Sequence, residues 1–330
     1  MHPQQLSTPL ETLRKQLPFE LHPTNLPGAF TTPAPARDFD PQKASAAALI
    51  KHGVMWKRPQ KGDPFSLLRA WERAFSREWH AKDRLIPHSE PQYGKTHVLR
   101  RLAKAADTGY TSDNWSGGVI QGQWATAIGF WSIPTVSKPA EPQGAEGGWN
   151  SSSWIGIDGF SSNDVLQAGI QQRVTPGGIA QYVAWYEWFA PAQANSPGYI
   201  YQTDIVNFPV APGQQVYCCV QYIHNKTAGN LYFANDTTGQ HLSITLAPPP
   251  GASFAGDSIE WIMEAPDGGE PVAALPKFSP VQFTTALGCS SDGQVVGNPQ
   301  NGDYINILFN NQTLTAVSLA NDAVTVKFTG

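Results

Sequence analysis

Residues 152–170, SSWIGIDGFSSNDVLQAGI, contain the pattern that decides the fold. Two apolar runs of strand length are separated by Gly, Ser, Asn and Asp, which are residues that favour turns. The same texture continues from about residue 111 to the C-terminus, without a convincing helix or a fixed-period repeat. The predicted strands are residues 129–136, 152–160, 164–170, 181–190, 215–223, 230–236, 242–247, 258–265, 281–287, 304–310 and 323–328. This region therefore predicts an all-β sandwich or barrel.

Residues 1–107 differ from the rest of the chain in charge and in periodicity. They hold 17 Lys and Arg against 10 Asp and Glu, whereas residues 108–330 hold 5 against 16, so the two parts carry +7 and −11. Apolar residues recur at helical spacing over residues 65–83, and residues 43–56 are a second helix candidate. We therefore expect a basic, helix-containing segment and linker over 1–107, followed by a β domain over 108–330.

The composition excludes some partners. Only 15% of the residues are charged, and no basic stripe follows residue 107, so a nucleic-acid backbone is not an expected partner. No apolar window is long enough to span a membrane. A surface with few cations is typical of proteins that work in acid, although a neutral extracellular β domain explains it equally well. No signal peptide is visible, yet we expect a secreted monomer.

The three cysteines do not indicate a metal site. Cys218 and Cys219 are adjacent, so in a strand their side chains point to opposite faces, and at most one of them can face Cys289. No CxxC motif is present. We expect neither a metal nor a cofactor, and the sequence leaves the disulfide state open.

Carboxyl and amide groups occur inside the apolar strands, where burial is costly unless these groups are used or hydrogen-bonded. Strand alternation places Glu260 and Glu264 on one face of their strand, with Trp261 and Met263 opposite. One sheet face is predicted to gather the acidic and amide residues among tryptophans: Asp158, Gln167, Glu187, Glu260 and Glu264. Three interpretations remain open from these residues alone: a catalytic site, a sugar-binding groove, and a set of surface positions on a concave sheet.

Six short motifs in a fixed order carry a resemblance to a known family. They are 114–118 (NWSGG), 131–134 (WSIP), 154–159 (WIGIDG), 166–169 (LQAG), 185–188 (WYEW) and 260–264 (EWIME). In this order the motifs resemble those of the glutamic peptidases, the eqolisins. The resemblance covers about residues 111–285 and implies a sandwich of two antiparallel sheets of the concanavalin A-like, jelly-roll type.

The resemblance also implies the site residues. It assigns Gln167 and Glu264 as the catalytic pair, with Glu260 as a competitor for the role of Glu264. Two residues four positions apart on one strand face are separated by about 13–14 Å, so both cannot hold the same water. The remaining implied groove or supporting residues are Trp115, Trp154, Asp158 and Glu187. The family's disulfide after Asp-Gly has no counterpart, because residues 160–166 read FSSNDVL.

The implied function is an acid endopeptidase made as a zymogen. Glu264 would activate water, Gln167 would stabilise the oxyanion, and polypeptides would be the substrates. Residues 1–107 would act as an intramolecular inhibitor, with Lys and His side chains near the catalytic carboxylates and processing between Leu99 and Tyr110. The alternative is a lectin-like, glycan-binding or glycan-hydrolysing module that uses Trp115, Trp154 and Trp185 as sugar platforms.

Overall fold

A computed structural model describes most of the chain. The described residues are 13, 17, 19–77, 79–92, 97–105, 109–140, 147–191, 202–223, 227–266, 274–293 and 295–330. Two large sheets pack face to face, which confirms the predicted β-sandwich. None of the helices in the described ranges has the length and apolar character needed to cross a membrane.

The strands range in length from two to ten residues, and the two longest lie near the middle of the chain. They are β1 (His22–Pro23), β2 (Ala29–Thr31), β3 (Ser89–Pro91), β4 (Ala103–Lys104), β5 (Tyr110–Ser112), β6 (Trp115–Gln121), β7 (Thr126–Ser132), β8 (Val136–Ser137), β9 (Trp149–Ile157), β10 (Val165–Val174), β11 (Ala180–Phe189), β12 (Thr203–Ile205), β13 (Gln215–Ile223), β14 (Ala228–Asn235), β15 (His241–Leu246), β16 (Ser258–Glu264), β17 (Lys277–Phe278), β18 (Val281–Cys289), β19 (Val296–Gly297), β20 (Asp303–Phe309), β21 (Gln312–Thr313), β22 (Thr315–Ala320) and β23 (Ala323–Phe328). The described residues also form the α-helices α1 (Ala46–Lys51) and α2 (Phe65–Phe75) and the 3₁₀ helices Ala81–Asp83 and Pro299–Asn301.

The two sheets have different roles. The front sheet has the order β3-β12-β11-β10-β9-β16-β6-β20-β5-β4, and its outer face carries Gln167, Glu187, Glu260 and Glu264 of the predicted set. The back sheet has the order β1-β2-β15-β14-β13-β7-β18-β23-β22. Pairing is antiparallel throughout these paths except between β20 and β5. A separate two-stranded sheet joins β8 to β17.

Side-chain alternation in the central strands builds the core. In β16, Trp261 and Met263 enter the core between the sheets, whereas Glu264 lies on the outer face of the front sheet, as predicted. In β13, Cys218 belongs to this core, while Cys219 faces the outside of the back sheet. All three cysteines are free and buried, so the fold depends on packing rather than on a disulfide.

Residues before 107 are part of both sheets as well as carrying the helices. β2 pairs with β15 at one end of the back sheet, and β3 pairs with β12 at one end of the front sheet. Helix α2 covers the first eleven residues of the predicted run at 65–83, and α1 covers six residues of the run at 43–56. Both helices lie against the outer face of the back sheet, away from the front-sheet site.

Candidate active site

Strand register brings three of the predicted residues into one row across the front sheet. Gln167 in β10 pairs with Glu187 in β11 on one side and with Gly156 in β9 on the other. Gly156 pairs in turn with Glu260 in β16. Because directly paired residues share a face, these side chains all belong to the outer face of the sheet.

Glu264 lies farther along the same face, and three donors hold its carboxylate. The indole Nε1 of Trp154 donates to Oε2 at 2.8 Å, and the amide of Asn114 donates to Oε1 at 3.1 Å. The third donor is the imidazole Nδ1 of His97, 2.7 Å from Oε2. Glu264 is fully buried among these groups, so its position is set by directional bonds rather than by solvent.

The Gln167 amide uses both of its N–H groups. One donates to Glu187 Oε2 at 3.1 Å, and the other donates to the backbone carbonyl of His97 at 3.2 Å. Glu187 Oε2 also accepts the backbone N–H of His97 at 3.0 Å. Glu187 therefore fixes the direction in which Gln167 presents its second N–H group.

His97 comes from the segment before residue 107 and sits between the two predicted catalytic side chains. Its ring stacks on Trp185 at a centroid distance of 3.7 Å, and it is completely buried. The second ring nitrogen, Nε2, lies 2.9 Å from Oε1 of Gln202. Gln202 uses its own amide nitrogen to donate to Gln171 and Asp204, so its oxygen faces the imidazole. Both ring nitrogens thus face oxygen acceptors, an arrangement that suits the protonated imidazolium.

Burial and charge shift two pKa values in this cluster. Burial opposes the charged form of His97, but the Glu264 and Glu187 carboxylates outweigh it and raise its pKa above the usual value. Burial raises the pKa of Glu187 to about 8, although the neighbouring His97 works in the other direction. Glu187 is therefore a neutral acid at low pH.

Asp158 and Glu260 lie outside the contacts of the His97 cluster. Strand β9 ends at Ile157, and Asp158 has a φ of 71°, so the alternation that would place it beside Trp154 does not extend to it. Its carboxyl accepts from Tyr222 of the back sheet and from the backbone of Gly256, and burial raises its pKa to about 6. Burial also raises the pKa of Glu260 well above its usual range.

The tryptophans of the site act as walls and as donors. Trp115 packs edge-on against Trp154 at a centroid distance of 4.8 Å. Trp115, Trp154 and Trp185 are all completely buried. None of these three rings is therefore exposed to solvent in this structure, and the Trp185 ring stacks on the His97 ring.

Sequence reasoning did not single out three residues of this cluster. Asn114 opens a quoted motif and could have been found there, because it directly precedes Trp115, which was singled out. Gln202 follows residues that lie outside the described part of the chain, and it has no motif. His97 was included only in the general expectation that front-segment histidines lie near the carboxylates.

The arrangement is suited to peptide hydrolysis. It combines a carboxylate, an amide donor aimed at a peptide carbonyl, and a dry apolar surround in which such interactions are strong. Within the described ranges, no group of three or more His, Cys, Asp and Glu residues is placed to hold a metal ion.

Comparisons with known proteins agree with this geometry. Residues 113–328 match the Peptidase A4 family. Aspergillopepsin-2 of Aspergillus niger is 29% identical in an alignment of 258 positions that covers 73% of this chain and 86% of that protein. Scytalidopepsin B of Scytalidium lignicola is 26% identical over 69% of this chain and 87% of its own length.

The fold is also shared with a solved structure. Scytalido-glutamic peptidase with a transition state analog inhibitor has a TM-score of 0.54 and 23% identity, covering 66% of this chain and 98% of that chain. The family match extends over most of the chain and includes all six motifs. This chain belongs to the Peptidase A4 family and is a glutamic endopeptidase.

Proposed function

We propose that this chain is an acid-acting endopeptidase in which Glu264 is the general base and acid and Gln167 is the oxyanion donor. The observation that supports this most is that both side chains contact one residue of peptide, His97. Gln167 donates to its carbonyl, and Glu264 contacts its side chain. A substrate peptide in this position would have its carbonyl at the donor and a free space at Glu264 for water.

The reaction then needs only these two groups. Glu264 takes a proton from water as the water oxygen bonds to the peptide carbon, and the carbonyl oxygen becomes an oxyanion that accepts the Gln167 N–H. The C–N bond breaks as Glu264 returns the proton to the leaving nitrogen. Glu187 and Trp154 position these groups, since they bond to Gln167 and Glu264 respectively.

Substitution of the pair tests the proposal. Glu264→Gln should abolish hydrolysis of casein or haemoglobin at about pH 3 to 4, where carboxyl groups titrate. Gln167→Ala should lower the rate about 10²–10³-fold, the loss typical of one oxyanion donor. Circular dichroism checks that both variants are folded. Gln172→Ala is the matched control, because Gln172 is also buried in β10 but bonds to Ser151 and Ser153 instead.

Two outcomes would overturn the assignment. A folded Glu264→Gln variant with full activity would remove Glu264 from the mechanism. If Glu260→Gln abolished hydrolysis while Glu264→Gln did not, the catalytic role would pass to Glu260.

The zymogen proposal assigns the inhibitory contact to residues 97–105, which we call the plug. This proposal is supported by two contacts of His97. Its imidazole lies within hydrogen-bond distance of the Glu264 carboxylate, and its backbone carbonyl accepts a hydrogen bond from the Gln167 amide. The neighbouring Val98 packs with Val165 and Phe189, and Leu99 and Leu102 pack with the tryptophan cluster. The plug thus binds as a peptide would, but its own bond is spared because no water can reach Glu264.

Acid would release the plug for an electrostatic reason. The titratable groups that face His97 are Glu264 and Glu187, with Asp204 one residue removed through Gln202. Residues 1–107 carry +7 and residues 108–330 carry −11 at neutral pH, so their attraction weakens as carboxylates take up protons in acid. Rising acidity therefore favours the open groove, where Glu264 can meet substrate.

The variant His97→Ala tests the plug. It should hydrolyse an added peptide near pH 5 to 6, above the acid range of carboxyl pKa values, without prior acidification. His88→Ala is the control, since His88 is an exposed histidine of the same segment. If both variants failed to hydrolyse the peptide without prior acidification, His97 would not control substrate access to the active site.

The remaining expectations complete the proposal. We propose polypeptide substrates, secretion and a monomeric state. The family match favours the peptidase over the lectin-like alternative, and the burial of all three tryptophans offers no sugar platform in this state.

A further inference from the structure

The segment before residue 107 contacts the β-sandwich through two dissimilar interfaces. The plug enters the front-sheet groove through hydrogen bonds to Glu264, Glu187 and Gln167. Residues 20–91, which we call the clamp, lie against the back sheet and the sheet ends. The chemistry of the two interfaces differs, so they need not separate together.

The clamp buries an aromatic cluster on the outer face of the back sheet. Phe75 of α2 lies 5.9 Å from Tyr232 between ring centroids, and Trp79 stacks on the same tyrosine at 5.9 Å. The clamp side chains in this cluster are Leu49, Val54, Trp56, Leu67, Ala70, Trp71, Phe75 and Trp79, and the sheet side chains are Ile128, Phe130, Tyr217, Cys219, Tyr232, Ala234, Leu287 and Cys289. Without the clamp, this sheet face would be a contiguous apolar patch in water, which folded domains avoid.

Backbone and polar contacts extend the interface. β2 adds to β15, and the hydroxyl of Thr31 donates to the carbonyl of Ser243 at 2.8 Å. β3 adds to β12 at the end of the other sheet. The guanidinium of Arg73 donates to Thr284 and Thr285 at 2.8 Å each and lies 4.0 Å from the Phe130 ring centre. The clamp therefore supplies strands to both sheets and covers the outer face of the back sheet.

The charged groups at the clamp do not form the kind of pair found at His97. The groups on the clamp are Asp63, Arg73, Arg77 and Arg84, and those on the sandwich are Asp236, His241 and Asp322. Burial, reinforced by Arg84, lowers the pKa of His241 to about 4, so its ring stays neutral against Trp79 in mild acid. The acidity that frees the plug therefore leaves His241 unchanged. Burial raises the pKa of Asp236, although Arg77 and Arg73 oppose this shift, so this carboxyl is a group of the interface that acid can neutralise.

We propose that the clamp stays bound to the β-sandwich as a second, non-covalently held chain when the polypeptide is cut between Ala105 and Gly109, and that only the plug leaves the groove. The mature enzyme is then a two-chain protein, with its N-terminal chain as a permanent cover of the back sheet.

The test uses the full chain and an added protease, so it does not depend on self-cleavage. A recognition sequence for a site-specific protease is inserted between Ala105 and Gly109 in a Glu264→Gln background, and the chain is cut at pH 7. Gel filtration at pH 7 and pH 5, followed by denaturing electrophoresis, reports which fragments travel together. The two fragments should co-elute in equal molar amounts at both pH values. Separation of the N-terminal fragment from a folded sandwich would overturn the proposal.

Matched variants locate the interface. The double variant Trp71→Ala/Phe75→Ala should raise the dissociation constant of the cut fragments about ten-fold or more, as truncation of buried aromatic anchors does. Phe65→Ala, in the same helix but 73% exposed, should leave it unchanged. If the double variant does not fold, the proposal is tested on the cut chain without substitutions, by measuring hydrogen exchange of the α2 amides. Protection equal to that of the uncut chain supports the clamp, and its loss refutes it.

Discussion

At Glu187, the environment of a single carboxyl group decides its charge. It is fully buried, and its pKa is raised to about 8, so the folded protein retains a proton that the unfolded chain loses near pH 4.5. Between these two pH values the folded state binds more protons than the unfolded state. Its stability therefore falls as the pH rises. In acid the loss of stability is absent, because Glu187 is protonated in both the folded and the unfolded state. Its role requires only that it accept hydrogen bonds from Gln167 and His97.

Glu187→Gln should remove this dependence, because glutamine is neutral at every pH and can accept through its amide oxygen. We expect the variant to gain about 2–4 kcal/mol in free energy of unfolding at pH 8, following from the pKa shift, and almost nothing at pH 4. Urea unfolding at the two pH values measures the difference. An equal gain at both would mean that Glu187 does not hold a proton. Hydrolysis in acid should survive in Glu187→Gln but be lost in Glu187→Ala.

Strands β9 and β10 approach so closely that a side chain cannot be added between them at one point. A Cβ atom on Gly169 would lie 2.3 Å from the carbonyl oxygen of Ser153 and 2.4 Å from the Cβ of Trp154. This close approach keeps Trp154 where its indole N–H reaches Glu264. Because Gly169 has no side chain, β9 can lie close enough to β10 for Trp154 to keep its hydrogen bond to Glu264.

Gly169→Ala should destabilise the protein by about 1–3 kcal/mol, the usual cost of overpacking. It should also lower acid hydrolysis, because the Trp154 bond to Glu264 is displaced. Thermal unfolding and peptide turnover are the measurements. Gly177→Ala serves as the control, since a Cβ there would meet only Thr175 Oγ1 at 3.8 Å. Similar losses in both variants would contradict the packing explanation.

The whole molecule is held together without a covalent cross-link among its described residues. Cys218 lies between the sheets, whereas Cys219 and Cys289 lie beneath the clamp. Burial raises the pKa of Cys289 to about 12 and that of Cys218 and Cys219 far above the usual range. All three sulfurs are therefore protonated and shielded from reagents.

We expect no reaction of the folded protein with a thiol reagent at pH 8 and three reactive thiols per chain after unfolding. Reducing agent should not change the melting temperature. A fall in melting temperature on reduction, or fewer than three thiols in the unfolded chain, would indicate a disulfide that the described structure does not contain. A Cys219 or Cys289 that reacts faster once the clamp is loosened would locate the opening.

Strands that were predicted, and a strand such as β6 that was not, show how far a sequence pattern reaches. β13 and β16 were predicted because apolar and β-branched residues fill them. β6 was not predicted as a strand, because Ser116, Gly117 and Gly118 have low strand propensity. The neighbouring strand β16 requires a glycine at position 117, since a Cβ on Gly117 would lie 2.0 Å from the Trp261 carbonyl oxygen. Propensity cannot register a contact that only the assembled sheet creates.

The sequence by itself determined the sandwich, the family, and the alternation that separates Glu264 from Trp261. These depend on a two-residue period and on short motifs, which are local properties of the chain. Only the tertiary structure decided that Asp158 turns toward Tyr222 and that His97 lies between Gln167 and Glu264. It also decided that the N-terminal helices cover the back sheet. The contact of Arg73 in α2 with Thr285 joins residues 212 positions apart, and no periodicity in the chain encodes which distant surfaces meet.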